Sequence, residues 1–386
     1  MKDYNQSSVL TVGLAIFSML FGAGNIIYPI KCGVITGSQN YIGVAGFILT
    51  GVFLPIIGLI TMVLFEGDYR KFFYRIGNIP GTIAIFYCMF ILGPLIAMPR
   101  CITVPFEMLK PFMPGINLPL FSVLFATITF LMSYKQSKIL NLLGNVFSPF
   151  LLISLAIIAG KGLWQADHVH AASVPLVTVF LEQCMYGFQT LDLLGGLFFA
   201  YIVLRILKSN SQSEEINTKD LAIISLKSGL IAGVLLMLVY LAFSYLGAYY
   251  ADLVSVDMNG AEMFRIISLH ILNKQTIFIV ILAVLVACLS TITAFAAIFA
   301  QYLHSEVFHK KTPKIVCLLM TMIATTVVAN FGLTNILHYG MPVVLIGYPI
   351  IMMITFCNLG YILFDFQYIK LPVALTAMIT MGMMFL

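Results

Sequence analysis

Apolar residues run through this sequence in long blocks separated by short polar segments. Blocks long enough to cross a hydrocarbon core of ~30 Å, about 20 residues each, fall near 8–30, 41–65, 81–98, 118–134, 139–163, 175–206, 221–249, 276–302, 314–333, 341–364 and 371–386. The blocks are apolar on all sides, whereas strands of a membrane β-barrel are short and alternate. In lipid every backbone amide of a spanning helix is paired within its own segment. The pattern therefore predicts an all-α polytopic membrane protein with eleven spans, the last one short. The first block is not expected to be a cleaved signal. Met1-Lys2-Asp3 has no net positive charge, and the apolar run continues to Ile30.

Composition agrees. Of 386 residues, 61% are hydrophobic and only 9% charged, against about 25% charged in a soluble domain. With 31 Phe and 18 Tyr the chain is not disordered, and seven Cys without a CxxC do not make a disulfide scaffold. The net charge of +5 forms no basic stripe, so the expected partner is the lipid bilayer and not nucleic acid. If the N-terminus is cytoplasmic, 14 of the 20 Lys and Arg residues face inward, among them Arg70, Lys71, Arg75, Lys310 and Lys311. Lys31, Arg100, Lys110, Lys161, Arg265 and Lys274 then face outward. The positive-inside rule predicts a multi-pass cell-membrane protein with its N-terminus in the cytoplasm.

Two blocks are broken in the middle. The first contains Gly22-Ala23-Gly24-Asn25, and each Gly weakens a helix by roughly 1 kcal/mol relative to Ala. Gly22 and Gly24 are two apart, which is not the small-xxx-small spacing of helix dimers. The sixth block contains Gly187-Phe188-Gln189-Thr190-Leu191-Asp192. An ionisable side chain such as Asp192 inside an apolar run must face a partner or a cavity. Breaks at corresponding places in two successive five-helix sets point to an inverted-repeat secondary transporter with a midplane site. The sets would be residues 1–163 and 164–364, with 365–386 a partial eleventh helix. Half-helix amides at Gly22–Asn25 suit a carboxylate, and exposed carbonyls at Gly187–Thr190 suit an ammonium. A zwitterion that is otherwise apolar fits both.

The motifs FSMLFGAGNIIYP, GPLIAMPRCITVPFE at 93–107 and GFQTLD at 187–192 resemble the branched-chain amino acid:cation symporter family, also called the LIV system II carrier family. The similarity runs to about residue 370. Phe188 and Leu191 depart from it, standing where the family tends towards Tyr and Met. The resemblance implies a five-plus-five inverted repeat with discontinuous helices one and six, inside a family total of twelve helices. The chain reaches only an eleventh, which lies outside the ten-helix core. It further implies sodium- or proton-coupled uptake of leucine, isoleucine and valine by symport, with no organic cofactor. In the eighth block Ala287, Ser290 and Thr291 are at i, i+3 and i+4, so a carbonyl and two hydroxyls share a face. In sodium-coupled relatives such a trio pairs with carbonyls before the first break, here Ser18 and Phe21.

Other positions are candidate gates. Arg100 either snorkels outward or locks a gate through Glu107, two turns away if the third helix continues. Pro99 and Pro105 oppose that continuation, and the prolines from 94 to 119 predict an irregular connection. Glu182 either lines the outer vestibule or sits on the surface. Asp167, His168 and His170 have no further ligand clustered nearby, so no metal site is expected there. Two alternatives stand beside the leading reading: another neutral amino acid or small zwitterion on the same fold, and a membrane-embedded enzyme with Glu182 and Asp192 as its acid–base pair. No hydrolase or ATP-binding motif supports an enzyme.

Overall fold

The computed structural model describes residues 6–134, 147–169, 171, 174–209, 218–272 and 276–382, and these residues form helices joined by turns. The expected span at 139–163 is described only from residue 147 and the last one only to residue 382. His170 also lies outside the described residues.

The first block is two helices, α1 (Gln6–Leu20) and α2 (Ala23–Thr36), parted at Phe21 and Gly22. The second is α3 (Asn40–Ile48) and α4 (Leu54–Leu64), joined through a π-helical turn at Leu49–Phe53. A short helix α5 (Tyr69–Tyr74) follows, capped by Asp68, whose carboxylate accepts from the Lys71 amide at 3.0 Å. The third block is α6 (Asn78–Phe90), a π turn at Ile91–Leu95 and α7 (Ala97–Leu109).

That third block corrects the expectation that Pro99 and Pro105 stop its helix, while the connection after it, at 110–117, is irregular as expected. The helix bends at Gly93 (φ −81°, ψ −128°) and Ile96, then continues through Pro99 and Pro105 to Leu109. Pro99 stands in the first turn of α7, where the missing amide has no helical partner to lose.

The remaining blocks are α8 (Leu118–Tyr134), α9 (Ser148–Trp164), α10 (Leu176–Phe188) with α11 (Asp192–Ser209), and α12 (Thr218–Tyr249). A short amphipathic helix, α13 (Gly260–Ile271), precedes α14 (Ile277–Tyr302), α15 (Lys314–Ala329), α16 (Leu333–Phe364) and α17 (Lys370–Gly382). Its N-cap Asn259 accepts from the Ala261 and Glu262 amides. Neither α5 nor α13 is apolar or long enough to register as a span.

Helices from the two halves of the chain interleave. α2 and α1 pack on α12, α4 on α11, α10 on α3, and α14 on α7. This wraps both interrupted blocks in protein, the setting in which unwound backbone is tolerated at membrane depth. Phe17 and Phe21 stack at 5.3 Å and Phe199 and Phe295 at 5.0 Å, filling the interior around the first break.

Candidate functional site

The two breaks meet. Gly22 is extended (φ −125°, ψ −155°), and its amide donates to Asn25 Oδ1 at 3.0 Å, so Asn25 turns back to start α2. Its other side-chain atom, Nδ2, donates to Asp192 Oδ2 at 2.5 Å. Asp192 stands in the first turn of α11, and the Tyr240 hydroxyl of α12 donates to the same oxygen at 2.8 Å. The Asn25 amide also reaches the Tyr240 hydroxyl. All three residues are buried. Gly24 lets the breaks approach: a Cβ there would lie 3.1 Å from the Cα and carbonyl oxygen of Thr190.

The second break ends in i→i−3 bonds from Gln189, Thr190 and Leu191, and Leu191 takes the left-handed conformation at φ 66°. Its carbonyls have partners inside the protein. Gly187 O accepts from the Thr190 hydroxyl at 2.9 Å, and Gln189 O accepts from Arg100 Nη1 at 2.8 Å. Gly187 itself packs against α3 and its π turn, where a Cβ would overlap Thr50 Oγ1. Phe188 stacks on Tyr348 at 4.7 Å, and the Tyr348 hydroxyl accepts from the Leu193 amide of α11.

The eighth block contributes oxygens at the first break. Ser290 Oγ donates to Ser18 O at 2.8 Å and to Ala287 O at 2.7 Å. Thr291 Oγ1 donates to Met19 O at 3.0 Å, and not to Phe21. A Cβ on Gly22 would lie 2.8 Å from Thr291 Oγ1, so that glycine admits α14 to the break. Ser18 Oγ is buried without a hydrogen-bond partner. This set is oxygen throughout, the donor type hard cations take. Of the expected residues Ser18, Ala287, Ser290 and Thr291 meet here, and Met19 stands in the place expected of Phe21.

Arg100 corrects the gate expectation. It neither snorkels nor pairs with Glu107; the ion pairs among the described residues are Arg70–Glu306 and Lys71–Asp68. Arg100 is 2% exposed and donates to the Gln189 carbonyl and, at 3.2 Å, to the Tyr28 hydroxyl, so it ties α7 to α2 and the second break. Glu107 lines a separate polar cleft with Lys110, Glu262 and Arg265. Glu182 lies on the exposed side of α10, whereas Asp192 is buried, so the two do not form an acid–base pair.

Above the meeting point, towards the end of the bundle where α2 finishes, is a cavity floored by Tyr28 and Gln189 and walled by α13 and α16. The opposite end is tied together by polar contacts. Arg70 of α5 donates to Glu306 Oε2 just beyond α14, and Tyr69 donates to Glu306 Oε1 at 3.0 Å. Arg75 donates to Asn358 Oδ1 at 2.8 Å, and Asn358 donates to Phe72 O at 3.0 Å. The bond to Glu306 raises the Arg70 pKa; burial, then Glu306, raises that of Tyr69. None of these partners stands in a motif, so no local pattern pointed to them.

Residues 5–385 match the sequence model of the family described as "Branched-chain amino acid transport protein". The chain belongs to that family. It is 31% identical over 368 residues to the branched-chain amino acid permease BrnQ of Bacillus subtilis, covering 92% of this chain and 81% of that protein. It is 29% identical over 348 residues to BrnQ of Escherichia coli, covering 88% and 77%. With the branched-chain amino acid transport system 2 carrier protein of Pseudomonas aeruginosa it shares 27% over 390 residues, covering 98% and 85%.

Among solved structures, the fold is similar to Mhp1, a nucleobase-cation-symport-1 family transporter in a closed conformation, at a TM-score of 0.68 and 13% identity over 97% of this chain and 91% of that one. A Na+-coupled sialic acid symporter, in an outward-open state, aligns at a TM-score of 0.50 and 12% identity over 97% and 94%. This member of the branched-chain amino acid transport family is therefore a multi-pass transporter with the inverted-repeat transporter fold, and not an enzyme.

Proposed function

We propose that this chain imports leucine, isoleucine and valine by alternating access, in symport with a cation. The observation that carries this is the junction of the two interrupted helices at Asn25 and Asp192, within a chain matched over nearly its whole length by the branched-chain amino acid transport family. The α2 amides at Gly22–Asn25 receive the substrate carboxylate when the breaks part. The second break, Gly187 to Asp192, forms the other wall.

Sodium is the coupling ion at Ser18, Met19, Ala287, Ser290 and Thr291, supported by the all-oxygen donor set and the partnerless Ser18 hydroxyl. A proton is the alternative. It is favoured by Asp192, a buried carboxylate whose hydrogen-bond partners are neutral. The N-terminus is cytoplasmic, so the cavity over Gln189 opens outward and the Arg70–Glu306 clasp closes the inner face.

The test is uptake of radiolabelled leucine into proteoliposomes under an imposed sodium gradient and, separately, a proton gradient. Accumulation under one of them supports symport and names the ion. Equilibration unaffected by either gradient would sink the coupling, and failure of leucine, isoleucine and valine to compete would sink the substrate class.

A further inference from the structure

In this conformation the midplane junction is closely packed. The Asn25 side chain lies on Asp192, the Gly24 backbone lies against Thr190, and the Gly22 backbone lies against Thr291. Unspent donors are found one layer further out, in the cavity above the junction. Gln189 is 2% exposed and lines that cavity, yet its Nε2 has no hydrogen-bond partner. Leaving such a group dry and unpaired costs more than the hydrogen bond is worth when made, so it marks a place where a ligand or water belongs.

Two further donors share the cavity. Lys31, one turn beyond Tyr28 on α2, lines it and among the described residues makes no ion pair within 4.0 Å, the Asp257 carboxylate acting on it only at longer range. The Tyr28 hydroxyl accepts from Arg100, which leaves its own proton free to donate. The Gln189 carbonyl is held by the same guanidinium, so Arg100 fixes both floor residues without entering the cavity itself. Ile27, Leu337 and Met341 provide an apolar wall on the remaining side.

We infer that this cavity is a carboxylate-binding station for a small aliphatic acid, at which Gln189, Lys31 and Tyr28 hold the carboxylate and the apolar wall takes the branched chain. It rests on the proposed substrate class and adds a site ahead of the midplane one. An ammonium and an amide supply charge-assisted and neutral donors to one anion. Substrate arriving there meets Gln189, which belongs to the second break itself. Capture of the carboxylate by Gln189 is therefore mechanically connected to the segment that must move for the junction to open.

The experiment uses the purified full chain in nanodiscs, with three probes: leucine, 4-methylpentanoate, which lacks the ammonium, and leucinol, which lacks the carboxylate. Binding of each is measured by competition and by thermal stabilisation, and leucine uptake is measured in proteoliposomes. In the wild type 4-methylpentanoate should bind and leucinol should not. Lys31→Gln should weaken 4-methylpentanoate about tenfold and raise the leucine KM with kcat nearly unchanged. Gln189→Glu, which places a second carboxylate at the same spot, should abolish 4-methylpentanoate binding. Unaltered binding of both acids in two well-folded variants would overturn the station. Binding of 4-methylpentanoate that depends on Lys31, without leucine uptake by the wild type, would leave the station standing and remove the proposed substrate. Absence of 4-methylpentanoate binding in a wild type that transports leucine would remove the station alone.

Discussion

Asn25 Nδ2 donates to Asp192 Oδ2 at 2.5 Å, across 167 residues of sequence, and this bond joins the two helix breaks. Asn25 also starts α2 by accepting from the Gly22 amide, so one side chain both shapes the first break and anchors it to the second. Moving either break in a transport cycle must strain or release this bond. An unpaired buried carboxylate would otherwise be costly, and Tyr240 is the second donor that keeps it satisfied.

The first prediction tests that pairing. Tyr240→Phe removes one hydrogen bond to a buried carboxylate and should destabilise the protein by roughly 1.5–3 kcal/mol, read as a lower melting temperature in detergent. Asp192→Asn keeps the shape and an accepting oxygen while removing the charge. It should leave the melting temperature nearly unchanged and abolish gradient-driven accumulation. Full accumulation in Asp192→Asn would make the carboxylate a structural group only.

A second prediction concerns Gly24. A leucine there must push the Thr190 backbone away, because even a Cβ would lie 3.1 Å from it. Gly24→Leu should insert into the membrane normally and lose leucine binding. Unchanged leucine affinity would show that the junction is not the substrate site.

Much of this architecture is legible in the sequence, because span length and hydropathy are local properties. The two breaks were visible for the same reason: Gly22, Gly24 and Asp192 are out of place in apolar runs. Partners were not visible. Tyr240 lies in an apolar run where an aromatic residue is ordinary, and nothing nearby marks its hydroxyl as the second donor to Asp192. Arg100 was expected either to snorkel outward or, if its helix ran on past the prolines, to pair with Glu107 two turns away. The helix continues, since Pro99 falls in a first turn, and tertiary packing turns the guanidinium inward to Gln189. The short helices α5 and α13 escaped because each is amphipathic and under four turns long.

The clasp at the opposite face gives a third prediction. Arg70→Glu should open it by placing like charges together, with little loss of stability, since half-exposed ion pairs contribute about 0–1 kcal/mol. The readout is cysteine labelling from the proposed inner side at a position such as Ser305, beside the clasp. Labelling should speed up in Arg70→Glu and return to the wild-type rate in Arg70→Glu/Glu306→Arg. Equal rates in all three proteins would show that the pair does not control access.

The last prediction concerns coupling through α14. Ser290 bonds Ser18 O and Thr291 bonds Met19 O, so the eighth block already grips α1 immediately before its break. A cation bound among these oxygens would strengthen that grip and favour the arrangement of the break that receives substrate. Such an ion should raise leucine affinity by roughly 5–150-fold, and leucine must then raise the ion's affinity by the same factor. Ser290→Ala/Thr291→Ala removes both hydroxyls without adding bulk and should flatten the dependence of leucine affinity on sodium, while leaving ion-independent binding measurable. Gly22→Ala should act similarly, since its methyl would press on Thr291 Oγ1. The decisive measurement is leucine affinity against sodium concentration at fixed pH, and against pH at fixed sodium. Should the wild type respond steeply to pH and not to sodium, the hydroxyl pair is packing between two helices, and Asp192 becomes the group that carries the coupling ion.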